Sequence, residues 1–374
     1  MKMTDRQDLS AGVPIIHPQH PHHPLQSPRP RLNLALQGGG AHGAFTWGVL
    51  DRLLEEEDID IGRISGTSAG ALNGAALATG LATGGRKAAK ENLSRLWQHV
   101  TQAGALMSLL HVPLKKPGLG VWDDAMPLLS PYQTNPLSLG PLRYILESVV
   151  DLDALKGPNA PPLFVNAVNV NTGSTRVFGP SDMSIAALLA SACAPMMFQA
   201  VEIDGESYWD GSYACNPVLL PLYEGASDAD ILMVELTPLH RSETPMTAKN
   251  ILNRINEIAS INGLVAQMRA LDLVNRNARR PAVRMHVVSL PDKIRYEEVE
   301  PSTKRTVSPM LFESLRRKGY DICSGWLTEN RAALGRRATV DIGVRYLAPY
   351  RQVDVQLPEL DAAGSRGADL EPGR

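Results

Sequence analysis

Two glycine-rich turns constrain this chain more than anything else in it. Gly38-Gly39-Gly40-Ala41-His42-Gly43 follows the alternating run Leu32-Asn33-Leu34-Ala35-Leu36, which reads as a strand, and precedes a helix-like run from Ala44 to Leu54. Gly66-Thr67-Ser68-Ala69-Gly70 follows a second apolar run, Ile59 to Ile64. A glycine-rich turn at a helix start points backbone N–H groups at one spot, where an oxyanion can sit. A G-x-S-x-G turn is sharp, and side chains at Gly66 or Gly70 would collide with neighbouring backbone. One turn offers a nucleophile in Ser68 and the other a place for the charge its attack creates. The pairing points to acyl transfer.

Each turn alone admits other chemistry. A dinucleotide loop needs an acidic residue about 20 positions on, at the end of a second strand. Asp58 and Asp60 are in range but precede the strand that leads into Ser68. A phosphate-binding loop of the Walker type needs Lys-Ser or Lys-Thr after the glycines, and none follows.

A serine nucleophile needs a base. His240 and His286 lie downstream and could complete a Ser-His-Asp triad. A carboxylate acting directly is the alternative, and Trp209-Asp210-Gly211-Ser212-Tyr213 offers one. It follows Val201 to Tyr208, a hairpin pattern turning at Asp204-Gly205. Most Asp-Gly pairs are only turns, so these residues by themselves leave both bases open.

Four motifs in order give the chain a resemblance to patatin-like phospholipases: the glycine loop Gly38 to Gly43, the serine turn Gly66 to Gly70, Ala190-Ser191-Ala192-Cys193-Ala194-Pro195 at a helix end, and Asp210-Gly211. Gly48-Val49-Leu50, Asn169 to Gly173 and Asn216-Pro217 extend the likeness, which runs from about Leu32 to Leu236. The resemblance implies a three-layer α/β/α fold with a mainly parallel central sheet. It also implies Ser68 as nucleophile, Asp210 as its dyad partner, and Gly38, Gly39 and Gly40 as the oxyanion hole, with no metal and no cofactor. A histidine is then dispensable. The α/β-hydrolase alternative fits less well, because there the serine turn follows several strands, and here one strand and one helix precede the strand into Ser68.

Two positions depart from the family's commonest form. His42 stands where Lys or Arg usually precedes the last glycine, and Ser212 where a second glycine follows Asp210-Gly211. A histidine there could make local charge depend on pH, or simply pack.

The 374 residues, 44% of them hydrophobic, can bury a large core, and a net charge of −2 gives no reason to invoke nucleic acid. Three cysteines, Cys193, Cys215 and Cys323, predict free thiols and a cytoplasmic setting. Residues 1–30 form a Pro/His-rich tail without the basic start and apolar run of a signal peptide. Residues 31–347 read as one catalytic domain, with a motif-bearing core at 32–236 and an extension at 237–347. Residues 348–374 read as a second disordered tail. Two long uncharged stretches do not read as membrane spans. Ile64 to Gly85 is 22 residues rich in Gly and Ala, and Met183 to Val201 is broken by Pro195. Asp182 is the expected N-cap of the helix in the second.

Leu163 to Val170, Ile231 to Leu236 and Val283 to Leu290 predict further strands between helices. Ile251, Ile255, Ile258, Val265 and Met268 predict a helix with one buried face. Gly104 to Gly140, with Leu106, Leu109, Leu110, Trp122 and Tyr132, suits an apolar flap over acyl chains or plain core cover. From Leu264 to Arg351, 17 Lys and Arg face 9 Asp and Glu. That excess could meet anionic headgroups, although surface solvation and internal ion pairs explain it better. The expected function is a lipid acyl hydrolase of phospholipase A or lysophospholipase type, acting on a lipid or acyl-ester substrate with peripheral membrane contact at most and no predictable protein partner. The alternatives are an esterase or thioesterase for soluble acyl compounds and a non-catalytic lipid-binding regulator.

Overall fold

The computed structural model describes residues 29–110, 130–135, 137–225, 229–241, 243–277, 283–291 and 308–348. Both tails expected from the sequence (apart from Arg29, Pro30 and Ala348), the greater part of the 104–140 segment with the side chains of Leu106, Leu109 and Leu110, and Arg279-Arg280 lie outside the described residues.

Eight strands form one sheet: β1 (Arg31–Leu36), β2 (Asp60–Gly66), β3 (Leu163–Asn169), β4 (Thr175–Phe178), β5 (Val201–Ile203), β6 (Glu206–Asp210), β7 (Ala229–Glu235) and β8 (Val283–Ser289). The order is β5-β6-β3-β2-β1-β7-β8, with β4 also paired to β3. The run β3-β2-β1-β7-β8 is parallel throughout, and β4, β5 and β6 pair antiparallel. The longer helices are α1 (Gly43–Leu53), α2 (Ala69–Leu110), α3 (Gly140–Val149), α4 (Ile185–Ser191), α5 (Ala248–Asn277) and α6 (Pro309–Asn330). The backbone of α2 leaves helical geometry at Gly84 and Gly85.

Alternation along the central strands divides the core. Leu32, Leu34 and Leu36 of β1 with Leu232 and Val234 of β7 belong to one buried cluster, which holds α1, α2 and α6. Ala35 of β1, Ile231 and Met233 of β7 and Met285 of β8 belong to another, with Ile261, Leu264 and Met268 of α5. A parallel sheet apolar on both faces needs helices on both. The result is the three-layer α/β/α architecture expected from the sequence.

The hairpin at Asp204-Gly205 forms as the dipeptide predicts, both residues having positive φ. Two local expectations fail. Ser184, not Asp182, caps α4, its hydroxyl accepting the Ala187 N–H; Asp182 accepts the Gly179 N–H in the preceding turn. On α5, Val265 and Met268 are buried, but Ile251, Ile255 and Ile258 are 42%, 55% and 44% exposed. The buried face continues instead through Glu257, Ser260, Ile261 and Leu264.

Among the described residues, several basic side chains of the C-terminal part form ion pairs. Arg284 binds Asp230, Arg316 binds Asp51 and Glu313, Arg331 binds Glu56 and Asp58, and Arg345 binds Glu235. All three cysteines are free. Among the described residues no helix is long and apolar enough to cross a membrane.

Candidate active site

The geometry begins with β3. Its residues Val165 and Ala167 pair with β4 on one edge. On the other edge Val165 pairs with Gly66 of β2, and Ala167 with Asp210 of β6. β2 is parallel to β3 and β6 antiparallel, so the two strands arrive head to head along one edge and end two positions apart. The turns that leave them, carrying Ser68 and Asp210, must therefore meet.

Ser68 has φ +53°, in the left-handed region that costs an L-residue about 1–2 kcal/mol. The surroundings hold it there. Its N–H donates to Ser191 Oγ at 3.0 Å, and Thr67 donates its hydroxyl to Asn166 Oδ1 at 2.6 Å. Gly66 closes β2 and Gly70 falls in the first turn of α2; a Cβ at Gly70 would stand 2.1 Å from the Leu36 carbonyl oxygen. A strained serine between a strand and a helix exposes its hydroxyl.

Asp210 is 5% exposed and accepts the Ser212 N–H at Oδ1, 2.8 Å away. The Ser68 side chain also acts on the carboxylate, favouring its charged form. Burial raises the Asp210 pKa above the ordinary carboxylate range, and the Ser212 N–H and the Ser68 and Ser212 side chains offset only part of the rise. Gly211 must be glycine, because a Cβ would stand 2.3 Å from the Asn166 carbonyl oxygen. Ser212 is not among the positive-φ residues, so its side chain brings no backbone strain at the position where the family commonly has a second glycine. Beside the carboxylate, burial and then the charge of Asp210 push the Cys193 thiol up to about 12, and its Sγ donates to the Gln199 carbonyl.

The glycine loop passes directly over Ser68. A Cβ at Gly38 would stand 2.8 Å from Ser68 Cβ. The Gly38 N–H donates to Asn216 Oδ1 at 2.6 Å, and Asn216 Nδ2 returns a hydrogen bond to the Gly38 carbonyl at 3.2 Å. This N–H is committed within the protein, although Gly38 lines the cavity with Gly39, Gly40, Ser68 and Asp210.

Two cavities share Ser68, Gly40, Ala192, Met197 and Phe198 in their walls. One, of about 260 Å³, continues past Asp210 to Asn216, Thr237, Asn253, Asn256 and Glu257. The other, of about 250 Å³, is bounded by Leu72, Leu96, Trp97, Val100, Leu142 and Phe312. A larger cleft of about 730 Å³ between Thr79 and Asp153 shares no residue with either.

The histidines weighed as bases, and His42, are elsewhere. His240 is exposed and lines neither cavity. His286 is buried in β8, with Nε2 on Asp230 Oδ1 and Nδ1 on Thr339 Oγ1, both at 3.0 Å. His42 is fully buried and also lines neither cavity. Among the described residues no cluster of His, Cys, Asp and Glu could hold a metal ion. Asn166 is a functional candidate that the sequence does not single out. Its only local signal is a polar residue within the apolar strand Leu163–Asn169.

A sheet of this topology whose strand ends bring a serine turn, an Asp-Gly turn and a glycine loop together defines a class of α/β hydrolytic folds. The Patatin-like phospholipase family model matches residues 34–223, just over half of the chain, and the chain belongs to that family. Membership places it with lipid acyl hydrolases at the level of the family. Among solved structures it is similar to VipD from Legionella pneumophila, at 14% identity and TM-score 0.41, covering 86% of this chain and 73% of that one. It is also similar to ExoU from the type III secretion system of Pseudomonas aeruginosa, solved with SpcU, at 17% identity and TM-score 0.31. That match covers 80% of this chain and 53% of ExoU, so the chain spans about half of ExoU's length. No curated protein matches it.

Proposed function

We propose that the chain is a serine lipid acyl hydrolase of phospholipase A or lysophospholipase type, using Ser68 and Asp210 as a dyad. Ser68 Oγ attacks the ester carbonyl carbon while its proton passes to the Asp210 carboxylate. The carbonyl electron pair moves onto oxygen, which the N–H groups of Gly39 and Gly40 receive; Gly38 holds the loop through Asn216. Collapse breaks the ester bond, and the departing alkoxide takes the proton from Asp210. Water then attacks the acyl-enzyme, Asp210 takes its proton and returns it to Ser68, and the fatty acid leaves. The raised pKa of Asp210 makes it a better base than a free carboxylate. The observation that carries this reading is the placement of Ser68 and the buried Asp210 carboxylate together in the wall of one cavity, near enough for the serine side chain to act on the carboxylate.

The extension beyond residue 236 is read as part of the same catalytic unit, because β8 extends the sheet through β7 and α6 packs on α1. The test is incubation of the full chain with phospholipids, lysophospholipids, and short-chain esters and thioesters, with products identified by mass spectrometry. Free fatty acid and the matching lysolipid or glycerophosphodiester are expected. Cleavage confined to soluble short-chain substrates supports the esterase alternative, and no cleavage of any of them contradicts the proposal.

A further inference from the structure

The two cavities that share Ser68 differ in what a substrate would meet. One wall offers amides, hydroxyls and the carboxylates of Asp210 and Glu257; the other offers only aliphatic and aromatic surface, apart from Ser68 itself and the loop backbone. An ester attacked at Ser68 has two arms, one of hydrocarbon and one ending in a polar alcohol. Burying the hydrocarbon arm along apolar surface is favourable, while burying polar groups there without partners is costly.

The apolar wall is rigidly built. Trp97 donates its indole N–H to Asn73 Oδ1 at 3.0 Å, and Asn73 Nδ2 donates to the carbonyls of Gly43 and Ala69 at 3.1 and 2.9 Å. Trp97 stacks on Trp47 with ring centroids 6.3 Å apart and meets the edge of Phe312 at 5.0 Å. Phe312 belongs to α6, which lies outside the 34–223 span that matches the family. Its position is set by two glycines. A Cβ at Gly48 would stand 1.8 Å from the Arg316 carbonyl oxygen, and one at Gly319 would stand 2.1 Å from that of Phe45. Backbone meets backbone at both points, so α6 cannot slide along α1. Phe312, two turns before Gly319, is held at the cavity.

We propose that the apolar cavity takes the acyl chain and that Phe312 is the residue that limits how long a chain it accepts. This rests on Ser68 being the nucleophile, and it assigns a specificity role to a residue that the family match does not include. Each methylene buried contributes about fourfold to kcat/KM, the equivalent of ~0.8 kcal/mol per CH₂. The gain stops where the chain outgrows the cavity.

The experiment measures kcat/KM for monomeric p-nitrophenyl esters of increasing acyl length, using the full chain as wild type, Phe312→Leu, Phe312→Ala and Phe312→Trp. Rates are corrected for folded protein by thermal melting and by uptake of a phosphonate at Ser68. The wild type should climb with chain length and then level. Phe312→Leu, the milder truncation should Phe312→Ala fold poorly, should level at longer chains, and Phe312→Trp at shorter ones. If the levelling point is the same in wild type and variants while Ser68 still takes up phosphonate, Phe312 has no such role. A wild type indifferent to chain length overturns the acyl assignment of the cavity. A wild type that hydrolyses none of the esters and leaves Ser68 unlabelled overturns the hydrolase reading, and the cavity assignment with it.

Discussion

The Thr67 hydroxyl donates to Asn166 Oδ1 at 2.6 Å, across 99 positions of sequence. The other half of the same amide, Nδ2, donates to the carbonyls of Gly211 and Cys215 at 3.3 and 3.0 Å. One side chain, 1% exposed, thus ties the turn that carries Ser68 to the turn that carries Asp210.

Removing this tie should loosen the site before it unfolds the protein. In Asn166→Ala, one hydroxyl and two carbonyls each lose a buried partner; the Gly211 carbonyl keeps the N–H groups of Ala214 and Cys215, and the Thr67 hydroxyl keeps the Cys215 carbonyl, so the cost should be about 1–3 kcal/mol in all. The melting temperature should fall and kcat should drop by one to two orders of magnitude, about the effect of a misplaced catalytic group, with KM much less affected. Steady-state kinetics beside a melting curve checks this; a stable variant with wild-type kcat would show that the two turns hold their geometry without Asn166.

Asp210→Asn separates base from spacer. The amide can still accept the Ser212 N–H but cannot take a proton, so activity should fall by about 10²–10⁴-fold. Stability should move the other way. The folded pKa of Asp210 lies above its unfolded value, so the folded state holds the proton more readily. Between those two values stability falls as pH rises, and above both the charged carboxylate is a constant destabilising term. Asp210→Asn should therefore melt higher than wild type at neutral pH, with the advantage shrinking as pH drops through that window. The acid limb of kcat/KM in the wild type should lie above the ordinary carboxylate range. Melting temperature and kcat/KM against pH test both signs, and a less stable Asn variant at neutral pH would contradict the burial account.

The left-handed backbone at Ser68 has a measurable cost. Ser68→Gly and Ser68→Ala both remove the hydroxyl, but only glycine adopts φ +53° without strain. The Gly variant should be more stable than the Ala variant by about 1 kcal/mol. Chemical denaturation of the pair decides it, and equal stabilities would mean that the turn relaxes when the hydroxyl is gone.

His286 marks the limit of the triad alternative. Its ring joins Asp230 to Thr339, and Asp230 also binds Arg284 and the Gly335 N–H. His286→Ala should destabilise the protein by about 2–4 kcal/mol, through a lost core side chain and a broken buried network. The folded fraction should keep most of its kcat, and His240→Ala should be close to wild type in both respects. Loss of turnover in a well-folded His286 variant would return a histidine to the mechanism.

Every strand but β4, the Asp204-Gly205 hairpin, the serine turn and the glycine loop were legible because each is written locally, in alternation, glycine placement and turn chemistry. What was not legible depends on distant partners. Helical spacing groups Ile251, Ile255 and Ile258 on one face of α5, but whether anything covers that face is decided elsewhere in the fold. Asp182 and Ser184 are both capping residues two positions apart, and only the backbone path chooses Ser184. Gly38 looks like a third oxyanion donor until Asn216, 178 residues away, takes its N–H. The meeting of Ser68 with Asp210 follows from β2 and β6 sharing one edge of β3, a pairing that no local pattern encodes.

The central claim is that the Ser68 hydroxyl, activated by Asp210, is the atom that takes up the acyl group. Intact-protein mass spectrometry after a low dose of an alkyl phosphonate ester, followed by peptide mapping, addresses it directly. The wild type should gain a single adduct on Ser68, Asp210→Asn should gain it far more slowly, and Ser68→Ala should gain none and hydrolyse nothing. An adduct on another residue, or ester turnover persisting in Ser68→Ala, would contradict it.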